Sequence, residues 1–122
     1  MRFAGYAALF DRVDRAGDVM RRGAFDGVGA DPVPLLWQHR GAPVGRIDAL
    51  YEDAAGLRVE GVVADAAVAA LLRSRRLDGL SIGYRALAVR QGVRRELLRV
   101  ALAEVSLVAV PMQPQARIDR IG

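Results

Sequence analysis

Residues 80–110 read LSIGYRALAVRQGVRRELLRVALAEVSLVAV, and this stretch decides the fold. Three strands are expected in it, over residues 80–90, 95–100 and 102–110. Gln91–Gly92 supplies the turn between the first two, and Pro111 and Pro114 end the last, because proline has no N–H to give a ladder. The segment just upstream, AAVAALLRSRR at residues 66–76, has helical spacing instead. Val68, Leu71 and Leu72 fall at i, i+3 and i+4, Asp65 is a suitable N-cap, and the arginines at the end suit the helix dipole. Further upstream, GLRVEGVV (residues 56–63) alternates with period two. It pairs through the turn EDAAG with residues 43–52 as a hairpin. VPLLWQ (33–38) reads as a short buried strand and RFAGYAAL (2–9) as a first strand with small residues on one side. Residues 10–34 read mostly as loop with one helical turn near Gly23–Ala24, and QARIDRIG as a tail. Six or seven strands and one main helix, mostly β within the α+β class, suit a small closed or partly closed β-barrel with the helix packed on it.

Composition narrows the chemistry. The chain has 122 residues, 52% of them hydrophobic and 26% charged, enough for one domain with a real core. Cys, Lys, Thr and Asn are absent. That excludes disulfides, a cysteine nucleophile and any lysine base or Schiff base. One histidine, His39, cannot build a multi-imidazole zinc site, and no cofactor or metal is expected. No apolar run is long enough to span a membrane, and the acidic N-terminal stretch is unlike a signal peptide, so a soluble cytoplasmic protein is expected. The net charge of +4 permits nucleic-acid or acidic-protein partners. The arginines are scattered and only seven aromatics are present to stack bases, so no specific nucleic-acid partner is expected.

Three residues stand out. His39 ends the apolar run LLWQH and is the only imidazole available as a general base. Ser81 lies in GLSIG, with glycines at −2 and +2 that allow another chain to approach closely. The segment follows a helix and continues as a strand, which is the reverse of a nucleophile elbow. Glu104 is a carboxylate in the apolar strand LAEVSLVAV, and strand alternation puts it on one face with Ser106. Each residue also has a purely structural reading: a hydrogen-bonded histidine, a serine at a bulge, a polar stripe on an edge strand. Together they offer a Gly-framed hydroxyl, one base and one carboxylate on different segments, as a nucleophile–base–orienter set does, with Ser106 the alternative nucleophile and Asp48 the carboxylate to consider if Glu104 is not the orienter. Ser74 sits amid helix arginines and competes poorly.

The ordered set GYAALFDRVDRAGDVMRRGAF, LLWQH, PVGRIDALYEDAAGLRVEG, LDGLSIGY and EVSLVAVPMQPQA resembles the prohead (capsid maturation) serine proteases of tailed bacteriophages. That family is similar in fold to the herpesvirus capsid assembly proteases. The resemblance implies a single prohead protease domain over residues 1–122, with Ser81 as nucleophile, His39 as base and Glu104 as third member. It implies a serine endopeptidase that cleaves scaffold protein or the major capsid protein's N-terminal scaffold segment, in the bacterial cytoplasm, inside the assembling procapsid. A homo-oligomer is allowed. A chain this short would suit a processed form or a compact member such as those of gene transfer agents. The competing reading is a non-catalytic β-barrel module that binds scaffold or nucleic acid.

Overall fold

The computed structural model describes residues 1–122. In chain order it contains β1 (Arg2–Leu9), β2 (Asp18–Met20), β3 (Leu35–Trp37), β4 (Arg40–Glu52), β5 (Gly56–Val63), α1 (Ala66–Arg73), β6 (Gly79–Gln91), β7 (Arg95–Val108) and β8 (Ile118–Ile121). The mostly-β expectation with one helix holds. The expected six- to seven-stranded barrel does not: eight strands form one sheet in the order β2-β7-β3-β4-β5-β1-β8, with β6 on β7, and the sheet is not closed. Strands β6 and β8 approach each other only at an isolated bridge between Gly79 and Arg117. Two flanking bonds support it, from Leu80 N–H to Ala116 O and from Ile118 N–H to Asp78 O. The next bond of a ladder would run from Ala116 N–H to Leu80 O, but that N–H donates to Gln113 O at 2.9 Å, so the pairing stops at the bridge.

The long strand β7 organises the site. Strand β6 runs antiparallel along one edge, with Ser81 opposite Ser106 and Gly83 opposite Glu104. On the other edge β2 pairs in parallel with its start and β3 with its end, where Leu36 meets Ser106. The expected break between residues 100 and 102 is absent, since nothing there interrupts extended backbone. Strand β2 lies inside the expected loop and β8 inside the expected tail. In place of a helical turn near Gly23–Ala24, residues 21–30 make successive i→i+3 turns.

Alternation places Val105 and Leu107 in the core, both fully buried with Leu35, Leu57, Val59, Leu80 and Leu97. The helix is capped by Asp65, whose side chain accepts from Val68 N–H at 3.0 Å, and it buries Val68, Ala69 and Leu72. It ends at Arg73, earlier than expected, because Arg75 takes a left-handed φ of 57°.

Candidate active site

Two residues of the β3–β4 hairpin carry the imidazole. Trp37 pairs with Arg40, so Gln38 and His39 form a two-residue turn. Their φ values are 51° and 64°. Positive φ at both central positions matches the twist of a hairpin, but Asn-Gly is the usual occupant. A left-handed residue with a Cβ costs roughly 1–2 kcal/mol, so the surroundings must hold this turn. They do so from β7 and its continuation. Gln38 N–H donates to Leu107 O at 2.9 Å, Ala109 N–H donates to Gln38 Oε1 at 3.3 Å, and His39 N–H donates to Ser106 Oγ at 3.1 Å.

The imidazole then meets the carboxylate. His39 Nδ1 lies 2.6 Å from Glu104 Oε1. Glu104 Oε2 accepts the Ser106 hydroxyl at 2.5 Å. With Nδ1 engaged, the second ring nitrogen, Nε2, makes no hydrogen bond within the protein. The His39 side chain is 46% exposed and that of Glu104 12% exposed. A carboxylate this enclosed needs partners, and it has two.

Ser81 is 5% exposed and makes no side-chain hydrogen bond, yet no buried side-chain N or O in the protein lacks a partner. Its hydroxyl is therefore not sealed in. It opens on a cavity of about 110 Å³ that it lines together with His39. Ala7, Ala8, Met20, Ile82 and Met112 make the apolar walls, and Asp14, Tyr84 and Gln113 add polar groups. Burial, and then the charges of Asp14 and Asp18, push the Tyr84 phenol upward, so it stays neutral. Gln113 clamps the wall: Leu9 N–H donates to its Oε1 at 2.5 Å, and its Nε2 donates to Leu9 O at 2.9 Å. Larger hollows of about 300 and 350 Å³ flank the segment around Gly29–Val33, and neither contains Ser81, His39 or Glu104.

Thus the fold brings His39 and Glu104 into contact and sets Ser81 on the same cavity as His39, without a Ser81–His39 hydrogen bond. Ser106, the alternative nucleophile, has no exposed surface and gives its proton to Glu104. Asp48, the alternative third member, pairs with Arg46 at 2.9 Å. Ser74 donates to Leu71 O at the end of α1.

The two glycines framing Ser81 serve different purposes. A Cβ at Gly79 would lie 2.5 Å from Val108 O, so there a backbone approaches. A Cβ at Gly83 would lie 2.5 Å from Glu104 Oε1 and 3.0 Å from its Cγ and Cδ. The missing side chain leaves room for the carboxylate, a role that reading the glycine pair as a backbone approach did not reveal.

Comparison with known proteins gives a family and a fold. Residues 1–121 match the family described as Caudovirus prohead serine protease. The chain is 33% identical over 92 residues to the prohead protease of Enterobacteria phage HK97, covering 67% of this chain and 41% of that one. It therefore spans about two fifths of the length of that curated relative. In structure it is similar to KSHV protease in complex with a hexapeptide phosphonate inhibitor, with a TM-score of 0.68, 16% identity, and coverage of 96% of this chain and 63% of that one. It is also similar to varicella-zoster virus protease, with a TM-score of 0.62, 18% identity, and coverage of 97% and 62%. At such identities these last two likenesses concern the fold alone.

Proposed function

The chain belongs to the Caudovirus prohead serine protease family, and from that premise we propose that it is a serine endopeptidase in which Ser81, His39 and Glu104 act together. The observation that carries this reading is the 2.6 Å contact between His39 Nδ1 and Glu104 Oε1, beside a cavity shared by His39 and Ser81. With Nδ1–H held by the carboxylate, the Nε2 lone pair is free to take the Ser81 proton as Oγ attacks a peptide carbonyl. Glu104 stabilises the imidazolium that results. The protonated Nε2 then donates to the leaving amine, and an acyl group remains on Ser81. Water, deprotonated by His39, releases the acid and restores the hydroxyl. Closing the Ser81–His39 distance when substrate fills the cavity is ordinary for such sites, because these bonds are often loose in the free enzyme.

The proposed substrates are scaffold protein or the N-terminal scaffold segment of the major capsid protein, cut inside the assembling procapsid in a bacterial host. Confinement there raises the local concentration of substrate, so modest intrinsic affinity suffices. Co-expression with the neighbouring capsid gene, with mass spectrometry of the capsid protein's N-terminus, tests the reading. The wild-type chain is expected to shorten the capsid protein. Ser81→Ala is expected to fold and leave it intact. Cleavage by folded Ser81→Ala overturns the assignment, and an intact capsid protein with the wild-type chain counts against the substrate.

A further inference from the structure

We infer that Ser106 is a positioning residue of this site: one buried hydroxyl fixes both the backbone of His39 and the carboxylate that orients its ring. The inference rests on the reading of His39, Glu104 and Ser81 given above and goes beyond it. Ser106 Oγ accepts from His39 N–H at 3.1 Å and donates to Glu104 Oε2 at 2.5 Å, while Glu104 Oε1 meets His39 Nδ1 at 2.6 Å. These contacts form a closed ring that runs from the His39 backbone through the serine and the carboxylate back to the His39 imidazole.

Two features make the hydroxyl more than a convenient filler. First, the backbone it holds is costly to hold. Gln38 and His39 are consecutive left-handed residues, neither of them glycine, and the His39 N–H has no partner other than Ser106. Second, its polarity is fixed. The hydroxyl has one proton, and that proton goes to Oε2 while a lone pair takes the amide. With Oε2 occupied, Oε1 is the oxygen left for Nδ1–H, which leaves the Nε2 lone pair unengaged on a residue that lines the cavity. Ser106 is fully buried, lies in register between Leu36 and Ser81, and does not line the cavity. It can reach substrate only through His39 and Glu104.

The test uses the intact chain, and its single histidine makes one signal sufficient. An Nδ1 proton hydrogen-bonded to a carboxylate gives a far-downfield proton resonance, observable without substrate. Labelling of Ser81 by a fluorophosphonate probe measures reactivity. Ser106→Ala is expected to lose or broaden the Nδ1 resonance and to slow labelling about 10- to 100-fold, the effect of losing a hydrogen bond to a charged group. The probe concentration for half-maximal rate should change little. Ser106→Thr keeps the hydroxyl and is expected to restore both. A folded Ser106→Ala variant with the resonance and labelling rate of the wild type overturns the inference, as does a folded Ser106→Thr variant as slow as alanine. Should Ser106→Ala not fold, Ser106→Cys, which keeps the volume but is a weaker donor, is judged by the same two readouts and the same criteria. If wild-type Ser81 takes no label while the resonance is present and is lost in Ser106→Ala, the positioning role stands and the hydrolase reading falls.

Discussion

Gly83→Ala is expected to separate stability from the proposed catalysis at this site. Gly83 does not have a positive φ, so alanine is allowed by the backbone. In the interior of a strand, glycine is worse than alanine by roughly 0.5–1 kcal/mol. The added Cβ would lie 2.5 Å from Glu104 Oε1. Ordinary contact needs about 3.4 Å or more, so the carboxylate must withdraw by roughly 1 Å. Glu104 can do this by rotating its side chain, and the fold should survive with stability within about 1 kcal/mol of wild type. The site does not fare as well. The His39–Glu104 contact is 2.6 Å, and a retreat of that size takes it out of hydrogen-bonding range. Losing a charge-assisted bond costs about 1.5–3 kcal/mol, which converts to roughly 10- to 150-fold in rate if it operates in the transition state. Melting by calorimetry and Ser81 labelling by a fluorophosphonate probe should therefore move independently, the first barely and the second by one to two orders of magnitude. A folded Gly83→Ala variant that labels at the wild-type rate would refute the claim that the carboxylate's position matters.

Gln113→Ala removes two buried hydrogen bonds to Leu9 and leaves that residue's N–H and C=O unpaired. A loss of about 1–3 kcal/mol is expected in urea denaturation with an unchanged m-value, together with slower Ser81 labelling as the cavity wall loosens. The Arg90 and Arg21 guanidiniums hold the Glu96 carboxyl down at about 2, below its ordinary 4.5. A depressed folded value means that the contribution to stability is complete above about 4.5 and fades as pH falls toward 2. Glu96→Gln should then melt below wild type at neutral pH, and calorimetry from pH 5 to pH 2 should find the gap narrowing. A gap that widens on acidification contradicts the assignment.

How much of this was legible in the chain varies by element, for physical reasons. Strands β1 and β5 fall on the expected residues, and α1 begins where Asp65 caps it, because alternation and capping are local. Strand β2 has three residues, DVM, and exists because its edge meets residues 95–97 of β7 and Asp18 binds Arg95 through two bonds. Strand β8 has four residues and leans on β1. Neither carries enough periodicity to be seen without its partner. An open sheet and a closed barrel can contain the same strands, so closure could not be read from a strand count. What decides it is whether edges find ladders, and beside β6 the Ala116 N–H turns back to Gln113 O instead of meeting Leu80 O.

At the site, the sequence by itself determined the chemical inventory: one imidazole, three serines, and a carboxylate sharing a strand face with Ser106. It also determined, through the blocks it shares with its family, which of these to watch. Tertiary structure alone decided that His39 and Glu104, 65 residues apart, would touch. It also decided that Ser106 would become a bridge and that Gly83 would leave space for a carboxylate. These are facts of register between strands and of a hairpin twisted into left-handed backbone. Register is set by how whole strands pair and bury their faces, and no local spacing records it.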